Sequence, residues 1–241
     1  MCFTVEIHTN RKAIEKRFAV DGAALAEFDF HYFYRAFAFP LLPVITQEEP
    51  DRIVLMEWGL IPSWARDRDH ADLIRKGTFN ARSETLEEKS SFRKPLESGR
   101  CQVIVHGFFE WQHAQGGKFP WYIRLRNDEL FAMAGLFDRW HDAAQGRVVE
   151  TFTILTTTAN TLMAGIHNTK ERMPVILPRE KEGLWLAEGG RQEERRSLLA
   201  PVPSSVLYAH PVSRSLSDPG RNPADPDVIA EQRLPMTGRL F

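Results

Sequence analysis

The sequence predicts an α+β fold: one domain over residues 1–241, with a curved, mostly antiparallel sheet flanked by helices. Three observations carry this expectation. Strand-like and helix-like segments are interspersed without the regular βαβ period of a doubly wound sheet. No internal repeat, low-complexity run or linker divides the chain. Hydrophobic residues make up 43% and aromatic residues 11% of the 241 positions, enough for a sizeable core.

The elements follow in order. Residues 2–8 set Phe3, Val5 and Ile7 on one side, the period of a strand. Residues 10–18 read as a short helix with Asn10 as its N-cap. Residues 28–45 are rich in aromatics but carry Pro40 and Pro43, so a buried irregular segment is expected rather than a helix. Residues 53–58 form a strand that runs into the turn Trp58-Gly59-Leu60-Ile61-Pro62-Ser63-Trp64. Ser83 is expected to cap a helix begun by residues 84–89, and residues 92–98 make a second short helix. Strands follow at 101–105 and 107–111, then a hairpin turn at Gln115-Gly116-Gly117-Lys118. Residues 121–125, 130–136 and 151–157 are further strands, and 159–164 a short helix. Pro174 lies near the start of a strand over 172–177, which places that strand at an edge. Helices are expected at 179–186 and 192–199, and a last strand at 206–210. From about residue 213 a polar, proline-containing stretch is expected to pack as a loop or tail.

Composition narrows the function. A net charge of −1 argues against coating nucleic acid by bulk charge, though not against a local basic groove. Two cysteines, Cys2 and Cys101, cannot build a disulfide framework or a cysteine-rich zinc site. No signal peptide and no membrane-spanning segment is visible. The cytosol is the expected compartment, where thiols stay reduced. A Gly-rich phosphate loop, a dinucleotide fingerprint, a nucleophile elbow and a His-Glu-x-x-His helix are all absent. Neither a metal site nor a cofactor is expected.

Cys2 is the residue with the most unusual chemistry. Removal of Met1 would leave it N-terminal, with a thiol of reference pKa about 8.5 beside an α-amine of about 7.7–8.0. The amine can form an imine with an aldehyde, and the thiol can close that imine into a thiazolidine. The thiol can also serve as an ordinary acyl-transfer nucleophile, or Cys2 can simply begin a buried strand. Asn80 precedes an expected helix and reads equally as a cap. Glu110, bounded by aromatics, is expected to be partly desolvated, which suits a proton shuttle. His167 is the natural acid/base near neutrality, or a satisfied structural histidine. Arg82 and Arg172 match phosphate geometry, or are merely solvated. Trp58, Trp64 and Trp111 can stack on bases, or fill a core. The basic run over 89–100 reads best as a solvated helix face, and Cys101 as a small buried apolar residue.

Taken together, the chain resembles the SRAP family, the abasic-site processing proteins once described as SOS-response-associated peptidases. The matching stretches are Met1-Cys2, Trp58 to Trp64, Asn80-Ala81-Arg82-Ser83-Glu84-Thr85, Arg100-Cys101 and Gly107-Phe108-Phe109-Glu110-Trp111. Further matches are Ala134-Gly135-Leu136-Phe137, Phe152 to Asn160, Ile166-His167 and Arg172-Met173-Pro174-Val175-Ile176-Leu177. They occur in the family's order, from Met1 to about His210.

The resemblance implies a barrel-like sheet and binding of single-stranded DNA containing abasic sites. It implies a covalent thiazolidine crosslink through Cys2 in the DNA damage response. Asn80, Glu110 and His167 take the family's other catalytic positions, and Arg82, Trp111 and Arg172 its DNA-contacting ones. A cytoplasmic monomer without membrane association is expected, at the nucleoid if the source is bacterial. Three departures stand out. Phe3 and Thr4 replace the Gly-Arg common after the cysteine. About three extra residues separate His167 from Arg172, where Lys170 could supply a phosphate contact. Residues 34–43 lack the family's Asn-x-Ala-Pro. Two rival readings remain: an N-terminal-cysteine peptidase acting on itself or on peptides, and a non-covalent single-strand binder.

Overall fold

The computed structural model describes residues 2–189 and 192–233. The expected removal of Met1 and the end of the C-terminal stretch, 234–241, lie outside the described residues. Strand β1 (Thr4–Glu6) and helix α1 (Arg11–Phe18) open the chain, and Asn10 Oδ1 accepts from the Ala13 N–H as an N-cap should. Strands β2 (Tyr34–Arg35), β3 (Leu41–Thr46) and β4 (Val54–Trp58) follow, then helix α2 (Arg68–Arg75) and strand β5 (Asn80–Arg82). Helix α3 (Ser90–Ser98) leads into β6 (Arg100–Val105), β7 (Gly107–Ala114), β8 (Gly117–Leu125), β9 (Phe131–Asp142) and β10 (Arg147–Thr158). Helix α4 (Thr161–Ile166), strand β11 (Arg172–Pro174), helices α5 (Glu182–Leu186) and α6 (Gln192–Ser197) and strand β12 (Leu207–Pro211) complete the regular elements.

Five strands close on themselves in the order β10-β4-β3-β6-β9, with β9 paired again to β10. This is the barrel-like, mostly antiparallel sheet expected; only β4 and β5 run parallel to β10. A second, antiparallel sheet has the order β12-β8-β7-β1-β2. One core joins the two: Val5, Phe108 and Ile123 of the second sheet cluster with Val44, Met56, Val103 and Phe152 of the barrel. Each such side chain contributes roughly 1.5–3 kcal/mol by leaving water. Among the described residues no helix is long and apolar enough to cross a membrane.

Several expectations need correction. Residues 28–45 are irregular only at first; the end becomes β3, with Pro43 inside it. The strand tolerates Pro43 because pairing with β6 begins only at Val44, so the missing N–H costs no ladder bond there. The helix expected from residue 84 is a short 3-10 turn, Ser83–Thr85, and no side chain caps it. The 179–186 helix divides into a 3-10 turn, Arg179–Lys181, and α5. The 130–136 and 151–157 strands extend into one long β9–β10 hairpin, paired from Ile154↔Gly135 to Arg147↔Asp142. Helix α2, capped by Asp67, was not anticipated: only Ala71 and Arg75 of its residues are buried, so it has almost no apolar stripe to read. β1 does not alternate between core and solvent. Thr4, Val5 and Glu6 are all buried, because β1 lies between β2 and β7 while the C-terminal stretch tucks Leu216 and Val228 against the far face of the same sheet.

Candidate active site

The candidate site lies where β1 enters the second sheet. Cys2 is fully buried, its Sγ 3.7 Å from the Thr4 carbonyl oxygen. Burial pushes the thiol well above its usual range, and the Glu110 carboxylate adds to the effect. β1 pairs with β7 so that Thr4 faces Phe109. Glu110 follows Phe109 on β7, and its carboxylate lies near enough to act on the Cys2 thiol. The barrel supplies the other wall. β5 runs parallel to β10, with Asn80 beside Ile154, and Asn80 donates Nδ2 to the Cys2 carbonyl at 2.8 Å. Asn80 Oδ1 is buried and accepts no hydrogen bond among the described residues. That acceptor lies on the side chain that already grips Cys2.

The pleat of β7 sorts its side chains. Phe108 joins the core around Cys2, whereas Phe109 and Trp111 join the cluster beneath the C-terminal stretch. Glu110 and Gln112 share the Phe108 face and are almost fully buried. Gln112 Nε2 donates to the Gly165 carbonyl at 3.0 Å, which fastens the end of α4 onto β7. Asn168 reinforces this by exchanging two hydrogen bonds with the His113 backbone. His167, the C-cap of α4, thereby comes to rest beside Glu110, with Nε2 3.9 Å from Oε2. Its Nδ1 lies 2.9 Å from the Arg172 carbonyl. A carbonyl only accepts, so Nδ1 carries the hydrogen and Nε2 is the nitrogen presented to the carboxylate. At 3.9 Å these two atoms are beyond a direct hydrogen bond, so proton transfer between imidazole and carboxyl requires a bridging water or closer approach.

The structure thus brings Cys2, Asn80, Glu110 and His167 into one cluster. The three residues expected to contact DNA are placed differently. Arg82 is exposed at the end of β5, and although its backbone pairs with β10, its side chain makes no hydrogen bond or ion pair among the described residues. Arg172 is not a free cation. Its guanidinium forms a two-pronged ion pair with Glu84, at 2.5 and 2.9 Å, and also donates to the Thr156 carbonyl. Trp111 lies on the face of β7 opposite Glu110, and its Nε1 donates to Ser217 Oγ at 3.2 Å. The strand alternation that turns Glu110 inward turns Trp111 away.

The remaining candidates separate cleanly. Trp58 is core, with Nε1 donating to the Phe79 carbonyl, while Trp64 is half-exposed. Cys101 is buried in β6. Arg100, at the end of the basic run, is buried and spends its guanidinium on four backbone carbonyls. Lys170 is exposed, in the turn that links His167 to Arg172. Two of the departures from the family pattern meet in space. Phe3 and Phe37 lie 5.2 Å apart, centroid to centroid, and each also packs on Phe79, the residue before Asn80. Phe37 keeps 66% of its surface exposed. Sequence reasoning missed Phe37, Gln112 and Glu84. Gln112 was within reach, two residues from Glu110 on one strand face; nothing local links Glu84 to Arg172.

A buried thiol just ahead of β1, held between an antiparallel sheet and a closed barrel beside a carboxylate–imidazole pair, defines a class of α+β proteins. The family described as SOS response associated peptidase (SRAP) matches residues 1–219, and the chain belongs to it. The abasic site processing protein YoqW of Bacillus subtilis is 37% identical over 232 residues, covering 95% of this chain and 99% of that protein. The abasic site processing protein HMCES of Gallus gallus is 34% identical over 187 residues, covering 69% of this chain and 54% of that protein. Among solved structures, a protein from Bacteroides thetaiotaomicron superposes with a TM-score of 0.91 at 36% identity, covering 96% of this chain and all of that one. Another, from Bordetella bronchiseptica, gives a TM-score of 0.76 at 26% identity.

Proposed function

We propose that the protein processes abasic sites by binding single-stranded DNA and linking Cys2 covalently to the ring-opened sugar. The observation that carries this reading is the convergence of Asn80, Glu110 and His167 on Cys2. Once Met1 is removed, the Cys2 nitrogen becomes an amine. The vacant Asn80 Oδ1 supplies an acceptor to orient that amine or the sugar.

Buried and protonated, the thiol is a poor first nucleophile, so the amine attacks first. It adds to the aldehyde, and the Glu110–His167 pair moves the protons as water leaves and the imine forms. The thiol sulfur then bonds to the imine carbon, its proton passes to nitrogen, and the thiazolidine ring closes. Arg82 is the exposed cation available to a flanking phosphate. Phe37 offers an exposed face on which a neighbouring base stacks. The raised thiol pKa also disfavours the peptidase reading, which needs a thiolate.

Mass spectrometry of the protein incubated with an abasic single-stranded oligonucleotide tests the proposal. The expected product is the Met1-less chain plus the oligonucleotide minus one water, absent with Cys2→Ala. No adduct with wild type, or an undiminished one with Cys2→Ala, would sink it. Turnover of a peptide panel that depends on Cys2 but ignores DNA would favour the peptidase instead.

A further inference from the structure

We propose that Glu84 is a positioning residue for this reaction: by gripping Arg172 it holds the backbone carbonyl that orients the His167 imidazole. The inference rests on the reading of Cys2, Glu110 and His167 as the reacting cluster and assigns a role to a residue outside it.

The contacts form one continuous chain. Glu84 follows β5 by two residues, in the Ser83–Thr85 turn, and its carboxylate takes both guanidinium prongs of Arg172. To reach it, the Arg172 side chain crosses β10. β11 and β5 pair along the same stretch of that strand, with Pro174 and Arg82 both opposite Thr156. On the way the guanidinium donates to the Thr156 carbonyl, so one side chain ties β11, β10 and the turn after β5 together. The Arg172 main chain receives the His167 Nδ1 hydrogen at 2.9 Å.

His167 and Arg172 are joined by a tight turn. The Lys170 and Glu171 N–H groups both donate back to the His167 carbonyl, and Glu171 adopts φ +50°. In that closed turn the Arg172 carbonyl and the His167 ring move together. The Arg172 guanidinium also holds the Glu84 carboxyl below the usual carboxylate range, so Glu84 stays ionised near neutral pH.

Asn80 and Glu84 therefore act from one short stretch of chain. Asn80 holds the Cys2 carbonyl and Glu84, through Arg172, holds the imidazole. The spacing between the thiol-bearing segment and the proton shuttle is set by residues 80–84. Glu84 touches none of the reacting atoms, and its side chain is half-exposed while that of Arg172 is buried. Removing the carboxylate leaves Arg172 with the Thr156 contacts alone.

The test compares wild type with Glu84→Ala and Glu84→Gln. The amide of the Gln variant keeps one acceptor for Arg172 and should behave as an intermediate. Two readouts are needed: the rate of adduct formation at saturating abasic oligonucleotide, with affinity measured separately, and the ¹⁵N spectrum of the His167 ring without DNA. The rate is expected to fall on the order of tenfold to a hundredfold in Glu84→Ala. Affinity should not weaken, because a carboxylate has been removed and Arg172 freed for phosphate. The His167 ring should lose its single Nδ1–H tautomer.

An unchanged ring spectrum with an unchanged rate overturns the assignment. So does a rate loss matched by an affinity loss with the ring unmoved, which is what a plain phosphate-side or structural role would give. Should Glu84→Ala fail to fold, Glu84→Gln decides by the same criteria. If wild type forms no adduct while the ring still responds to Glu84, the proposed function fails and the positioning link stands.

Discussion

Replacing Asn80 with alanine isolates the contact that holds the thiol-bearing segment ahead of β1 against the barrel. The side chain donates to the Cys2 carbonyl at 2.8 Å, and Cys2 is wholly buried. Water does not readily replace the lost donor in such a place. An acceptor left unsatisfied in the interior costs about 1–3 kcal/mol. At about 1.4 kcal/mol per tenfold, that corresponds to roughly 5- to 150-fold if the whole loss is felt in the transition state. As stability, the same energy lowers Tm by roughly 2–4 °C per kcal/mol in a chain of this size. The two effects separate by measurement. Adduct formation with saturating abasic oligonucleotide, sampled over time on a denaturing gel, gives the rate; a thermal melt gives the stability. If Asn80 positions Cys2 for attack, the Asn80→Ala rate falls at least about fivefold while the protein remains folded at the assay temperature. A rate within about twofold of wild type, with the melt lowered as expected, would refute the reasoning. The hydrogen bond would then serve the fold and not the chemistry.

Three other outcomes are expected. Phe37→Ala should weaken binding to single-stranded DNA by roughly 5- to 150-fold in a fluorescence anisotropy titration, the equivalent of about 1–3 kcal/mol for one stacked base. Its melt should stay close to wild type because the ring is 66% exposed; equal affinity would remove Phe37 from the interface. Gly107→Ala would set a methyl group 2.3 Å from a Tyr122 ring carbon, and Tyr122 hydroxyl donates to the buried Glu6 carboxylate. Overpacking of this kind costs about 1–3 kcal/mol, so Tm should drop by roughly 2–12 °C, and an unshifted melt counts against the close approach. His106 Nδ1 lies 3.2 Å from the buried Glu6 carboxylate, and this hydrogen bond raises the His106 pKa against the opposing effect of burial. Protonated His106 therefore adds stability that is complete below the unfolded value of about 6.5 and is lost as pH climbs through the raised folded value. Urea melts across that window should show wild type losing more stability than His106→Gln, and parallel curves would contradict it.

Local rules were legible wherever they depend on neighbours in sequence. Asn10 caps α1 because its carboxamide reaches an N–H three residues on. The strands β6, β7, β8 and β12 were anticipated to within a few residues from their apolar runs and the glycine turn at 116–117. The outer half of the β9–β10 hairpin was not, because its apolar residues are few: Trp140 and Val149 are buried only by distant partners, Ile61, Ala65 and Ala71. The Ser83 cap failed for a related reason. Residues 83–85 turn only once, and Glu84 is engaged by Arg172, 88 positions away.

The order and chemistry of the motifs determined, without coordinates, the family, the α+β class and the residues worth suspecting: Cys2, Asn80, Glu110 and His167. Chain order cannot say which of two adjacent residues on a strand turns inward, or what a charged side chain meets across a sheet. Tertiary structure decided both. The pleat of β7 put Glu110 with Cys2 and sent Trp111 to the other face. Pairing of β5 and β11 with the same strand, β10, placed Glu84 within reach of Arg172, so the guanidinium expected to meet phosphate is already ion-paired in the structure. Side-chain chemistry is carried by each residue alone, but direction and partnership arise only when distant strands pair, and here they decide which groups can reach the thiol.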